Sequence, residues 1–174
     1  SAVEMEERLT LADGVRYFLS SKSPVFAEDG SVAAVVGVSV DITDRRRAEA
    51  TARLLSEIDH DSAHLSDAQE IIRRAVRRVG AFLGVSRCHL AIIEPSGERV
   101  TVEPGWLDNA SRLEGSYDIS EAVTPELRAA LREQQVIAVD DVRLDPRTAA
   151  KADLYDSAGI GAFATYPVSS AGAL

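Results

Sequence analysis

The sequence predicts an α+β fold, and three observations carry the prediction. Val32, Ala34, Val36, Val38, Val40 and Ile42 fall on one side of a period-2 run. Ala68, Ile71, Ile72, Ala75, Val76, Val79, Phe82 and Leu83 form a stripe at helical spacing. From residue 86 onward, short strand-like and helix-like runs alternate. With 174 residues the chain has room for one domain and a fraction.

Residues 6–11 read as a short strand, turned by Ala12-Asp13-Gly14. Residues 15–26 form the next, with Tyr17 and Leu19 opposite Arg16, Phe18 and Ser20. Glu28-Asp29-Gly30-Ser31 is a second turn, in which glycine supplies a positive φ. The valine-rich run at 32–42 is the third antiparallel strand. A sheet with one apolar face needs a cover, and residues 1–43 hold none. The chain is therefore expected to be a fragment, or the sheet to pack on another copy or on the following domain.

From residue 43 the strand pattern stops. Asp44-Arg45-Arg46-Arg47-Ala48-Glu49-Ala50 contains strong helix formers, and Thr43 or Asp44 suits the N-cap. Ala48, Thr51, Leu55, Ile58, Ser62 and Leu65 recur at 3,4 spacing, a weak a/d seam. Two readings of this linker at 44–65 stay open. One is a parallel two-chain coil that makes a homodimer; the other is an amphipathic helix packed on its own domain. Arg45, Arg46 and Arg47 read as a solvated helix start.

Ser66-Asp67-Ala68-Gln69 reads as a capping box ahead of the next helix, which Gly84 ends. Its polar face carries Arg73, Arg74, Arg77 and Arg78, with Glu70 placed to pair at i+3 and i+4. Residues 86–94 are a buried strand, and 98–103 return as its hairpin partner. A long loop at 104–124 holds Trp106 and Tyr117. Thr124 caps a helix with Pro125 at its first position, reaching about Gln135. A short strand at 136–139, a turn region at 140–147, a helix at 148–158 and a last strand to Val168 complete the pattern.

Charge and composition exclude several functions. Asp plus Glu number 28 and Lys plus Arg 19, a net charge of −9, which disfavours general nucleic-acid binding. No apolar run approaches the roughly 20 residues of a membrane span, and no signal-peptide pattern opens the chain. A single cysteine, Cys88, gives neither an internal disulfide nor a zinc cluster. A cytoplasmic location follows as the expectation.

Two resemblances organise these elements. YFLSSKSPVFAEDGSVAAVVGVSVDITDRRRAEA resembles the C-terminal half of a PAS domain, a family that ends in three antiparallel strands and an Asp-Ile-Thr, here Asp41-Ile42-Thr43, before a charged helix. The family's cofactor-bearing first half is absent, so no cofactor is implied. FLGVSRCHLAIIEPSGERV, GWLDNASRLEGSYDIS, VIAVDDVRLDPRT and YDSAGIGAFATYPV, in that order, resemble a GAF domain of a bacterial sensor kinase. This resemblance covers residues 55–174 and implies a central antiparallel sheet flanked by helices and enclosing a ligand pocket, here without the family's last strand and helix. The organisation expected is PAS-type strands at 1–43, a helical signalling linker at 44–65 and a GAF domain at 66–174.

Four constellations look like chemistry and are read otherwise. Cys88-His89-Leu90 imitates a covalent bilin site, but the family's cysteine lies just before the Gly-Ile strand, where residues 153–158 have none. Cys88 reads as a buried thiol. Asp140 and Asp141 imitate a phosphoacceptor start, but the chain lacks the further βα units, and they read as turn formers. His60 and His64, with Asp59 and Asp61, have i, i+4 metal spacing without the glutamate of a catalytic helix. Methionine sulfoxide reduction needs a second thiol, and a cyclic-nucleotide signature is not visible.

The expected function is a non-catalytic sensory and relay fragment of a multidomain signalling protein, by resemblance a sensor histidine kinase. It would bind a small ligand in the GAF pocket or mediate dimerisation. His89, Trp106, Tyr117, Tyr155 and Phe163 are the pocket candidates, and the bland alternative for each is that it fills the core or clamps the loop. Asp41, Ile42 and Thr43 are the relay candidates, joining strand end to helix start. The alternatives are a bilin- or phosphate-accepting module and a purely structural dimerisation module.

Overall fold

The computed structural model describes residues 2–168. The end of the expected GAF domain, residues 169–174, lies outside them. The chain divides into two units, Ser1–His60 and Asp61–Leu174.

In the first unit β1 (Val3–Leu11), β2 (Gly14–Phe26) and β3 (Val32–Asp41) form an antiparallel sheet in the order β1-β2-β3. Gly14 at φ 121° and Gly30 at φ 81° make the two turns. β1 begins at Val3 rather than at residue 6, because β2 is long enough to pair back to Lys22 opposite Val3. The central strand is the covered one. Ser20 is fully buried on β2 and shares a 2.8 Å hydrogen bond with Ser39 of β3. β3 is an edge strand, and its Val36, Val38 and Val40 are 55–63% exposed. The helix α1 (Thr43–His64) follows.

In the second unit α2 (Ala68–Leu83) is capped by Asp67, not by the expected Ser66. Asp67 has the extended φ of −92° and ψ of 111° that a cap requires, and its carboxylate accepts the Gln69 N–H at 3.0 Å. Gly84, at φ 63°, ends the helix as expected, and the Val85 N–H returns to the Gly80 carbonyl.

The strand expected over 86–94 is two strands with different partners. β4 (Arg87–Cys88) pairs with β7 (Trp106–Leu107), whereas β5 (Ala91–Ile93) pairs with β6 (Arg99–Val102). The partner segment explains the break. Between β6 and β7 it contains Pro104, which has no N–H to donate to a ladder. The expected long loop also holds structure: β7, β8 (Gly115–Asp118) and α3 (Ile119–Ala122). β8 completes a sheet in the order β5-β6-β8.

Thr124 caps α4 (Pro125–Leu131), its hydroxyl accepting the Leu127 N–H at 3.1 Å. The helix stops before Gln135 because the N–H groups of Arg132 and Glu133 bond back only three residues, to Ala129 and Ala130. Gln134 then takes φ 53°. β9 (Ile137–Val139) pairs with β10 (Phe163–Thr165), which is shorter than the strand expected. Between them lie a 3₁₀ turn, Ala149–Lys151, and α5 (Ala152–Ser157). Leu127, Ile137, Val139, Val142 and Tyr155 form the buried core, with Phe163 packed against them.

Candidate functional site

Two of the three relay candidates, Ile42 and Thr43, converge on one residue of β2. The Ile42 N–H donates to the Tyr17 carbonyl at 2.8 Å, and the Tyr17 N–H donates to the Thr43 hydroxyl oxygen at 2.9 Å. Asp41 closes the turn by accepting the Thr43 N–H at 2.8 Å. Thr43 and Ile42 are buried, 3% and 7% exposed. The Thr43 hydroxyl is thus bonded to the sheet, not merely to its own helix. Hydrogen bonding from Thr43, and then the nearby Arg16 guanidinium, hold the Asp41 carboxyl below its ordinary value.

The first turn of α1 is also fastened to the sheet. Arg46 and Arg45 both pair with Glu6 of β1, and Arg46 lies 5.7 Å above the Tyr17 ring. Arg45 and Arg46 are exposed, as the solvated helix start expected from the sequence, and in addition pair with Glu6 across the surface. Tyr17, Arg16, Glu6 and Arg46 are junction residues that sequence reasoning missed. The signal lay in register: Tyr17 pairs with Arg8, two residues along the same face from Glu6.

The five pocket candidates occupy three places. His89 and Trp106 line one cleft, together with Arg87, Cys88, Glu103 and Glu114. Its free volume is about 10 Å³, room for one water molecule. Burial, and then the positive Arg87, lower the His89 pKa, while burial pushes the Cys88 thiol up. At neutral pH the cleft presents an uncharged imidazole and an uncharged thiol. Trp106 is held by its indole N–H, which donates to the Val85 carbonyl at 2.9 Å, and its stem lies against Gly80 of α2.

Tyr155 and Phe163 stack in the core, with ring centroids 5.9 Å apart. Tyr117 stands on β8, 41% exposed, and its hydroxyl donates to the Leu113 carbonyl at 2.8 Å. Two buried polar atoms among the described residues, Arg87 Nε and Tyr155 Oη, have no hydrogen-bond partner. Arg87 is otherwise fixed by donating to the Ala158 carbonyl at the end of α5.

The remaining constellations resolve into local structure. Asp141 accepts the Arg143 N–H at 2.8 Å, the turn-forming role expected of it. Asp145 does the same for Arg147, whose guanidinium holds its carboxyl down to about 2. On α2, Arg73 and Arg74 pair with Glu70 at 2.6 and 3.0 Å, as the spacing predicts. Among the described residues no group of three or more His, Cys, Asp and Glu is placed to hold a metal ion, and no helix is long and apolar enough to cross a membrane.

Comparison with known families agrees with this architecture. The model of the PAS fold matches residues 1–47, and that of the GAF domain matches residues 67–174. No curated protein matches the chain. PAS and GAF domains are sensory and signalling modules. With more than half of its residues matched by that second model, and a PAS fold ahead of it, the chain belongs to the GAF domain family.

Proposed function

We propose that the chain is the sensory and relay part of a sensor histidine kinase. PAS-type strands at 1–43 and a GAF domain at 66–174 communicate through the linker helix at 44–65. The observation that carries this reading is the junction. Asp41, Ile42 and Thr43 bind Tyr17, Arg16 and one another, so that a displacement of β2 moves the start of α1. Thr43→Val tests it. The substitution keeps the shape but leaves the Tyr17 N–H without an acceptor, an expected loss of about 1–3 kcal/mol. Amide exchange in the first turn of α1 should quicken about tenfold. Unchanged exchange there would mean that the sheet does not govern the helix.

Homodimerisation through α1 is the second element of the proposal. Leu55 is 57% exposed on the seam, and Ala48, Thr51 and Ser62 are exposed beside it. A parallel partner helix would bury them. Sedimentation equilibrium should give a dimer for the chain and a monomer for Leu55→Asp. A monomer at every concentration would remove this element. For small-ligand binding the His89–Trp106 cleft is the proposed place, since Arg87 on its wall keeps an unbonded donor. A guest larger than water requires the walls of the cleft to move apart.

A further inference from the structure

We propose that Asp61 is the latch through which α1 acts on α2. The proposal rests on the relay reading above and adds the point at which motion enters the GAF unit. Asp61 lies in the last turn of α1 and is only 7% exposed. Arg78 donates from Nε to its Oδ2 at 2.8 Å, and Arg74 stands 3.8 Å from its Oδ1. Arg74 and Arg78 are one turn apart on α2, so their two guanidiniums take hold of the carboxylate from the same helix face.

A buried carboxylate cannot drift from its partners without a large desolvation penalty. The pair therefore fixes the end of α1 against α2 in rotation and in translation. Glu70 makes the arrangement two-sided. It lies one turn before Arg74 and binds it at 3.0 Å, closer than Asp61 does. A shift of α1 that withdraws Asp61 leaves Arg74 wholly with Glu70, while a shift toward α2 engages it with Asp61. Arg74 is thereby shared between a carboxylate on each helix, and the position of α1 decides the division.

The test is amide hydrogen exchange over α2 in the full chain, with and without Thr43→Val, in the wild-type and Asp61→Asn backgrounds. Arg78→Gln, which breaks the same pair from the other helix, serves as the second background. Exchange across β4 to β7 confirms in each case that the GAF unit remains folded. Asp61→Asn alone should quicken exchange in the last turn of α1 about tenfold. Thr43→Val should alter exchange in α2 in the wild-type chain, and the response should vanish in both backgrounds. A response that persists undiminished overturns the latch and leaves the relay standing. An α2 that ignores Thr43→Val in the wild-type chain overturns both.

Discussion

Gly105→Ala is expected to destabilise the GAF unit by about 3 kcal/mol or more. A Cβ at this position would stand 2.1 Å from the Cys88 carbonyl oxygen and 2.9 Å from the His89 Cα. Both are backbone atoms, so no rotamer change relieves the collision. Relief requires β7 to withdraw from β4, which breaks the pairing of Cys88 with Trp106 and of Arg87 with Leu107. The same withdrawal opens the His89–Trp106 cleft. Urea denaturation monitored by circular dichroism measures the loss. A midpoint equal to that of the wild type would refute the close approach of the two strands.

Gly80→Ala is expected to cost about 2 kcal/mol, and here the sign is the informative part. Within a helix, replacing glycine by alanine ordinarily stabilises by about 1 kcal/mol. Gly80 is buried, however, and its added Cβ would meet the Trp106 side chain at 2.4 to 2.6 Å. The contacted atoms include the Trp106 Cβ and Cγ, the stem of the side chain rather than its free end. The ring must leave its seat and with it the hydrogen bond to the Val85 carbonyl. Trp106 is the chain's single tryptophan, so its emission reports on this contact alone. A red-shifted spectrum and a lower unfolding midpoint are the expected results. A gain in stability with unchanged emission would show that the glycine is not the seat of the indole.

Long periodic runs were legible in the sequence and short non-local ones were not. β3 and α2 were read almost to the residue because each carries its own period over ten residues or more. β7 has two residues and β8 is Gly-Ser-Tyr-Asp, so neither has a period to read. Both exist because a partner strand supplies hydrogen bonds, β4 to one and β6 to the other. The break between β4 and β5 likewise follows from Pro104 on the neighbouring segment rather than from residues 86–94 themselves.

The same distinction applies to the candidate sites. Asp41, Ile42 and Thr43 are contiguous, so a motif could mark them, whereas Tyr17 and Glu6 join them only through strand register. Aromatic identity nominated Trp106, Tyr117, Tyr155 and Phe163 together. Only packing could distribute them among a cleft wall, a strand surface and a core. Asp61 was visible as one member of an acidic and histidine-bearing stretch, but its pairing depends on α2 folding beside it.

The attachment of α1 to the sheet at its first turn has a mechanical consequence. The helix has 22 residues, which at about 1.5 Å per residue is a rigid arm roughly 33 Å long. Tyr17, bonded to Ile42 and Thr43, lies at its root. A tilt of about 3° at that root, less than the width of a hydrogen bond's angular tolerance, would sweep the far end through roughly 2 Å. Displacements of that size are the ones that packed helices use to change partners. In the relay proposed above, the sheet would not have to refold or expose new surface; a slight lean would suffice.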